Sequence, residues 1–500
     1  MVRPLSDDPN VLQIIDAPDV IVALGGEDRI ETFIGGGSLI FGNLDNDSLS
    51  ARGINDTLNG GKDNDFLQST KGTSVLVGGQ DEDNLVGSLG RDTLFGNAGE
   101  DTIIAGATAP TTSIFGDTTQ QQAVGQGNNL VGGGQGADSI IGGGNKDSLY
   151  GDLGNDTITA KAASTSNYLV GGGGADIIEG GGAQDTIIGD ADTDPSSAGN
   201  DILKGGTGTR VMMFGNGGND SLAAGSDQSS LYGGQGNDTL TAGTGTKGES
   251  YLAGQLGNDS LVASNETDTL DGGAGNDFLD LKSTKATAIA GDGNDTITGS
   301  AGGGAALRGG AGDDSLVGVL GDFLFGEAGD DRLLNASAGD GGDGNDAIGG
   351  SDSNGDNLSG GAGNDLLFGY GSTDVLNGGA GTDGLYGGNE ADTLTGGDGA
   401  DSFYYENTLQ GGDSITDFVT GSDKILLASA AFTGLTNPLF PGAVAFTTTI
   451  TNAKGATIFY DTNTKLVSYD ATGGTNGATD AVGLFTLQSG SVTGTDFQLF

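Results

Sequence analysis

Residues 360–404 read as five consecutive nine-residue units: GGAGNDLLF, GYGSTDVLN, GGAGTDGLY, GGNEADTLT and GGDGADSFY. The sixth position is always aspartate: Asp365, Asp374, Asp383, Asp392 and Asp401. The eighth is always large and apolar: Leu367, Leu376, Leu385, Leu394 and Phe403. A fixed short period means that one small unit is stacked many times, and that no unit can bury its apolar side alone. Positions seven to nine are long enough for one short strand. Side chains alternate across a strand, so position eight points inward while seven and nine point outward. Stacking then lines the position-eight residues into one thin apolar ladder.

The remaining positions have their own physical roles. Glycine reaches backbone conformations with positive φ and allows close backbone approach, so carbonyl groups can converge on one spot. The glycines placed for this are Gly360, Gly361, Gly363, Gly369, Gly378, Gly379, Gly381, Gly387, Gly396, Gly397 and Gly399. Each aspartate adds a hard anionic oxygen. Carboxylate and carbonyl oxygens together are the donor set that calcium prefers.

The unit fits the pattern GGxGxDxUx, and in this respect the chain resembles the RTX, or hemolysin-type, calcium-binding family. The resemblance implies an all-β fold, a parallel β-roll (a β-solenoid) of glycine-rich nonapeptides with two units per turn and a C-terminal β cap. It also implies calcium held between loops one turn, or 18 residues, apart. Asp365, Asp383 and Asp401 would then line one side of the roll, and Asp374 and Asp392 the other. Matching aspartates extend far upstream: Asp65, Asp83, Asp92, Asp101, Asp138, Asp147, Asp156, Asp176, Asp185 and Asp201. They continue as Asp220, Asp238, Asp259, Asp277, Asp295, Asp314 and Asp331, so the resemblance covers roughly residues 20–404.

The upstream part departs from the pattern in a regular way. Ser74 and Ser229 stand where aspartate is expected, while Leu76 and Leu231 keep the inward position. Many aspartates are therefore near 18 rather than nine residues apart, which predicts one nearly continuous ligand row and a second, patchy one. Intervals of 16, 19, 20 and 21 residues (Asp185 to Asp201, Asp201 to Asp220, Asp156 to Asp176, Asp238 to Asp259) read as loop insertions or deletions that leave calcium occupancy in doubt.

Composition supports this reading and excludes others. Glycine makes up 102 of 500 residues, and there are 68 acidic against 18 basic residues, a net charge of −50. That much like charge opposes a compact state, so a folded chain calls for countercharge. It also argues against nucleic acid or an anionic membrane as partner. Histidine and cysteine are both absent, which removes imidazole bases, His-dependent triads and disulfides from consideration. GxGxxG strings such as residues 243–248 are expected by chance in so glycine-rich a chain. Tyr150, Tyr232 and Tyr386 fall at outward strand positions and favour β structure, a commoner role than sugar binding.

Residues 1–19 lack the pattern and are expected to form an N-terminal cap or arm, with no apolar segment of the secretory-signal type. Residues 405–500 are expected to cap the roll, first with GGDSITDFVTGSDKILL, where Asp413, Asp417 and Asp423 would complete a last site, then with strands and hairpins. By resemblance this end carries an uncleaved signal for the type I secretion machinery. The resulting expectation is a calcium-binding, extracellular structural or cell-surface protein with no transmembrane segment. Self-assembly and cell-surface polysaccharide stand as candidate partners. The alternative is a secreted enzyme or toxin, for example one acting on polysaccharide, that uses the C-terminal region or the roll surface.

Overall fold

A nine-residue unit has room for one tight bend and one strand, so the strands can only meet side by side with their equivalents one full turn away. The computed structural model describes residues 2–5, 9–14, 20–32, 36–71, 73–88, 91–98, 101–104, 113–115, 118–122, 130–142, 146–160, 166–190, 198–207, 210–226, 228–244, 249–265, 267–282, 285–433, 435, 444–446, 457–471 and 481–500. They fall into two units, Met1–Asn265 and Glu266–Phe500.

In the first unit two sheets of parallel strands face each other. One is built from Val20–Val22, Leu39–Asn43, Thr57–Gly61, Val75–Gln80 and Thr93–Ala98, with Ile21, Ile40, Leu58, Leu76 and Leu94 in register. The other uses Arg29–Thr32, Ser48–Ala51, Phe66–Ser69, Asn84–Val86 and Asp101–Ile104, with Ile30, Leu49, Leu67, Leu85 and Ile103 in register. The ladders recur downstream, for instance Ile140–Ile158–Ile178–Leu203–Leu222–Leu240–Leu261. All of these inward residues are buried, while their strand neighbours alternate outward. The core is one side chain deep from each sheet, as the low apolar content requires.

The second unit repeats the plan. One ladder runs Leu279–Ile297–Leu316–Leu333–Ile348–Leu367–Leu385–Phe403–Ile425. The facing ladder includes Leu307, Leu324, Gly339, Leu358, Leu376 and Leu394. Gly339 stands where a leucine would repeat, and its neighbours have closed the gap. A Cβ there would come within 3.0 Å of Ile348 Cγ2 and 3.1 Å of Ala336 Cβ.

Roll pairing extends past both expected boundaries. Val2–Pro4 pairs in parallel with Val20–Val22, and Val11–Ile14 with Arg29–Thr32, so the first 19 residues already contribute strands in roll register. At the other end Asp413–Ile415 stacks on Thr393–Gly399, and Lys424–Leu427 on Ser402–Tyr405. The direction of pairing changes only after that. Thr457–Tyr460, Leu466–Asp470 and Val482–Leu487 form an antiparallel meander, and its last strand lies against Asp413–Ile415. Phe497–Leu499 covers Lys424–Leu427 as a final parallel strand. Buried aromatic pairs mark this end: Tyr405 with Phe485, Phe403 with Phe418, and Phe432 with Tyr469, with ring centroids 5.4, 6.1 and 5.1 Å apart. Among the described residues, no helix is long and apolar enough to cross a membrane.

Because each coil touches only its neighbours, damage to the ladder should stay local. Replacing the fully buried Leu367 with alanine removes its contacts with Ile348 and Leu385. The expected cost is about 2–5 kcal/mol of local stability. Hydrogen exchange in saturating calcium should show lost amide protection around Leu366–Phe368, with protection in the coils near Leu67 unchanged.

Candidate metal centres

Each strand of the ladder through Ile30 in the first unit, and of the ladder from Leu279 to Phe403 in the second, is entered through an aspartate at position six, and these aspartates connect successive coils. The amide of Asp47 donates to Asp65 Oδ1 at 2.8 Å, the amide of Asp65 to Asp83 Oδ1 at 2.8 Å, and the amide of Asp83 to Asp101 Oδ1 at 2.9 Å. The same link joins Asp138, Asp156, Asp176, Asp201, Asp220, Asp238 and Asp259. In the second unit it joins Asp277, Asp295, Asp314, Asp331, Asp346, Asp365, Asp383 and Asp401. One carboxylate oxygen per coil is thereby committed to the backbone of the coil before it.

The other oxygen has no such partner. Oδ2 of Asp47, Asp65, Asp83, Asp156, Asp176, Asp201, Asp220, Asp238, Asp295, Asp314, Asp331, Asp346, Asp365, Asp383 and Asp401 is buried and accepts no hydrogen bond. The position-one glycine of each coil explains where that oxygen points. A Cβ on Gly360 would overlap both Asp365 Oδ2 and the Gly378 carbonyl oxygen one coil on. Gly378 stands in the same relation to Asp383 Oδ2 and the Gly396 carbonyl, and Gly396 to Asp401 Oδ2. A bare anionic oxygen and a carbonyl oxygen thus meet over a glycine whose missing side chain leaves the space. Position-two and position-four glycines have a different job. At Gly361, Gly379 and Gly397 φ is 111°, 112° and 103°, and at Gly363, Gly381 and Gly399 it is 139°, 151° and 151°. A Cβ at any of these six would strike a carbonyl of the preceding coil.

The irregular coils keep this geometry. Asp176 donates to Asp201 Oδ1 at 2.8 Å across 25 residues, and Gly189 faces Asp201 Oδ2 and the Gly215 carbonyl. The row therefore continues across the irregular intervals. The 16-residue spacing of Asp185 and Asp201 arises because the two lie on opposite edges.

On the second edge the carboxylates divide into two kinds. Asp374 and Asp392 have open Oδ2 atoms, cradled by Gly369 with the Gly387 carbonyl and by Gly387 respectively. Two other candidate ligands are closed. Asp92 Oδ2 accepts from the Ser88 amide at 2.6 Å and the Ser88 hydroxyl at 2.8 Å, while Oδ1 accepts from the Ser74 amide. Asp185 Oδ2 accepts from the Gly181 and Gly182 amides at 2.9 and 3.0 Å, while Oδ1 accepts from Asn167. Asp322 and Asp356 are closed in the same way by Val319 and Ser351. Asp147 is buried on this edge, and its amide donates to Asn167 Oδ1. In the segment expected to complete a last site, Asp413 Oδ1 accepts from the Asp392 amide at 3.0 Å. Asp417 accepts from the Gly396 and Gly397 amides, and Asp423 from the Asp401 and Val419 amides.

The sequence pattern overlooked Asp28, Asp47 and Asp346, which belong to the same row. Asp28 enters from GGED and Asp346 from GDGND, both within the glycine-aspartate idiom but off the 18-residue beat. Among the described residues, no three acidic side chains converge on one point. Each bend of the row offers one bare carboxylate oxygen beside a backbone carbonyl.

Burying ionised carboxylates without partners is costly, and their proton affinities reflect it. Burial, opposed by the accepted amide hydrogen bond and reinforced by neighbouring carboxylates, raises Asp65, Asp176 and Asp220 from 3.8 to about 8. The same causes raise Asp83, Asp314 and Asp374 to about 7, and Asp365 and Asp401 to about 6. Deprotonated, these oxygens are hard anionic donors that lack a positive partner. With adjoining carbonyls and no competing N–H, the donor set fits calcium.

The RTX calcium-binding nonapeptide repeat family model matches the chain at residues 33–67, 41–75, 77–109, 124–158, 162–194, 214–246, 244–279, 287–303, 308–337, 350–385 and 385–407, together well over half of its length. No curated protein matches it.

The raised carboxylates set a pH dependence for the metal-free chain. Their folded forms hold protons more tightly than unfolded ones, whose value is near 3.8, so protonation favours the fold. That contribution is present at low pH and is lost as pH rises through about 6 to 8. In a chelator, circular dichroism at pH 5 should show more β structure and a higher melting temperature than at pH 8.5. The opposite order would contradict the burial described here.

Proposed function

The chain belongs to the RTX calcium-binding nonapeptide repeat family, and on that premise we propose that it is a secreted structural or cell-surface protein whose roll folds on binding calcium outside the cell. One observation carries this reading: in coil after coil, a buried carboxylate oxygen without a partner lies beside a glycine carbonyl. The residues that would hold the ions are the open aspartates with the position-one glycine carbonyls, among them Asp365 with Gly378, Asp383 with Gly396, and Asp374 with Gly387. Bound calcium supplies the countercharge and the oxygen ligation that the coil edges lack.

The argument for conditional folding is one of balance. Ordering the backbone costs roughly 1–2 kcal/mol per residue. The core set against that cost is a single ladder from each sheet, and the chain carries a net charge of −50. Aspartates 18 residues apart in sequence sit on adjacent coils, so their mutual repulsion is paid in full by the metal-free fold. A ligand that binds only the folded form stabilises it by RT ln(1 + [L]/Kd) per site. Calcium sites of extracellular modules typically have Kd of about 10⁻⁴–10⁻³ M. Affinities in that range leave the sites empty at cytosolic calcium and filled at extracellular calcium.

The structural role is favoured because roll coils make up most of the described residues in both units. At neutral pH, far-ultraviolet circular dichroism should report a disordered chain in EGTA and a β-rich one in millimolar calcium, with magnesium unable to substitute. An equally ordered chain in EGTA at pH 7.5 would refute calcium-dependent folding. Release of the protein from intact cells by chelator would support the surface location, whereas exclusive recovery from cytosol would contradict it.

A further inference from the structure

In the first unit, the outer face of the sheet that begins with Val20–Val22 differs from the other faces of the roll. Thirteen parallel strands follow one another in this sheet, up to Tyr251–Leu256. Positions seven and nine of these strands belong to the outer face, and none of them is Asp, Glu, Lys or Arg. The facing sheet of the same unit has Arg29, Glu31, Glu179 and Lys204 at such positions. In the second unit one sheet has Asp271, Arg308 and Asp340 there, and the other has Asp280, Arg332 and Lys424.

Apolar and aromatic side chains fill the uncharged face, with Phe41, Tyr150, Tyr168, Phe214, Tyr232 and Tyr251 as its rings. Rings of neighbouring coils lie against one another. Phe214 and Tyr232 stack with centroids 5.0 Å apart and planes at 7°, while Tyr232 with Tyr251 and Tyr150 with Tyr168 lie at 5.9 Å. The surface reaches solvent: Leu130 is 36% exposed, Tyr168 40% and Met212 43%. Charged side chains begin on the flanking bends, among them Asp152 beside Tyr150, and Arg210 and Glu249 beside Met212. With strands about 4.8 Å apart and about 10 Å of each presented, the face covers roughly 600 Å² before side-chain relief is counted. Exposed apolar patches beyond a few hundred Å² mark interaction sites, and a stable interface buries about 800 Å² per partner.

We propose that this face docks on the same face of a second copy of the chain, the two sheets stacked about 10 Å apart as in a β-sandwich. The proposal rests on the calcium-loaded roll described above and names a partner for its structural role. A patch without charge is complementary to itself, as a two-fold interface requires. It has no charge pattern with which to select a charged partner. Two chains of net charge −50 repel through every surface rich in acids, whereas stacking through this face leaves the carboxylate rows of the bends outside the contact. Tyrosine, phenylalanine and methionine are favoured in interface cores. Val75, Ile188 and Met212 lie among the rings, and such side chains offer a sugar hydroxyl nothing to bond. Calcium bound at the bends lowers the remaining repulsion, so metal binding and pairing support each other.

The test is analytical ultracentrifugation of the full-length chain in millimolar calcium, at micromolar protein concentration. The mass should be twice 49.2 kDa. The variant Tyr168→Lys, Met212→Lys alters two exposed side chains and places unpaired charges in the contact. Its dissociation constant should rise by about a hundredfold, with the β signal unchanged. The matching variant Ile177→Lys, Ile202→Lys alters positions of the facing sheet that are 45% and 40% exposed, and it should pair as the wild type does. A folded wild-type chain that stays monomeric would overturn the proposal, as would a dimer indifferent to Tyr168→Lys, Met212→Lys. A chain that gains no β structure in calcium would sink the calcium-binding reading and this proposal with it, a failure distinguishable from the first. The unaltered protein offers a second readout that does not depend on a variant folding. Hydroxyl-radical footprinting should find Tyr168 and Met212 shielded in the dimer and labelled on dilution to monomer, with Tyr370 of the second unit, 47% exposed, labelled in both. Shielding that appears only on adding a soluble neutral glucan would assign the face to a glycan and overturn the proposal.

Discussion

The structure depends on a carboxylate that does two things at once. One oxygen of each position-six aspartate takes the amide of the preceding coil, which fixes the coil-to-coil register. The other oxygen is left buried, anionic and bare. The first half of that arrangement holds the stack together by hydrogen bonds of 2.6 to 3.2 Å. The second half works against it, because a buried charge without a partner is among the most unfavourable features a fold can contain. The same residue therefore both sets the register and carries a buried charge that opposes the fold. A hydrophobic core could offset that penalty in an ordinary domain, but here the core is one ladder of side chains from each sheet.

The two edges of the roll resolve this conflict differently. On the continuous edge the bare oxygens recur in almost every described coil, and the row runs on from Asp176 to Asp201 although 25 residues separate them. On the other edge most bends answer their own charge. Asp92, Asp185, Asp322 and Asp356 have a second oxygen bound to a backbone amide three to five residues earlier in the same bend. In such a bend a peptide N–H meets the oxygen that stays bare in the open one. Among the described residues, only Asp374 and Asp392, within the most regular nonapeptides, combine an open oxygen with a glycine cradle on that edge. At the C-terminal end Asp417 accepts from the Gly396 and Gly397 amides and Asp423 Oδ2 from the Val419 amide, while the ladder continues through Ile425.

The nonapeptide alone determined a great deal. Its period dictates one strand per unit. Leucine at position eight dictates which side chains face in, and every such residue from Leu367 to Phe403 is buried where that alternation places it. Glycine at positions one, two and four is required by close backbone approach, which is local chemistry that can be read directly from the unit. The 18-residue pairing of Asp365 with Asp383 and of Asp374 with Asp392 follows from the same period. Only the tertiary structure decided which aspartates keep an open oxygen. GRDTL at Asp92 and GNDTI at Asp156 are nearly the same string, yet one carboxylate is closed by Ser88 and the other is bare. The difference lies in whether the residues leading into the bend turn an amide inward, and that depends on loop length and on the coil stacked above, which no single unit encodes. For the same reason Asp28 and Asp346 belong to the row despite their irregular spacing, since register in a solenoid is set by contact between coils and not by distance along the chain.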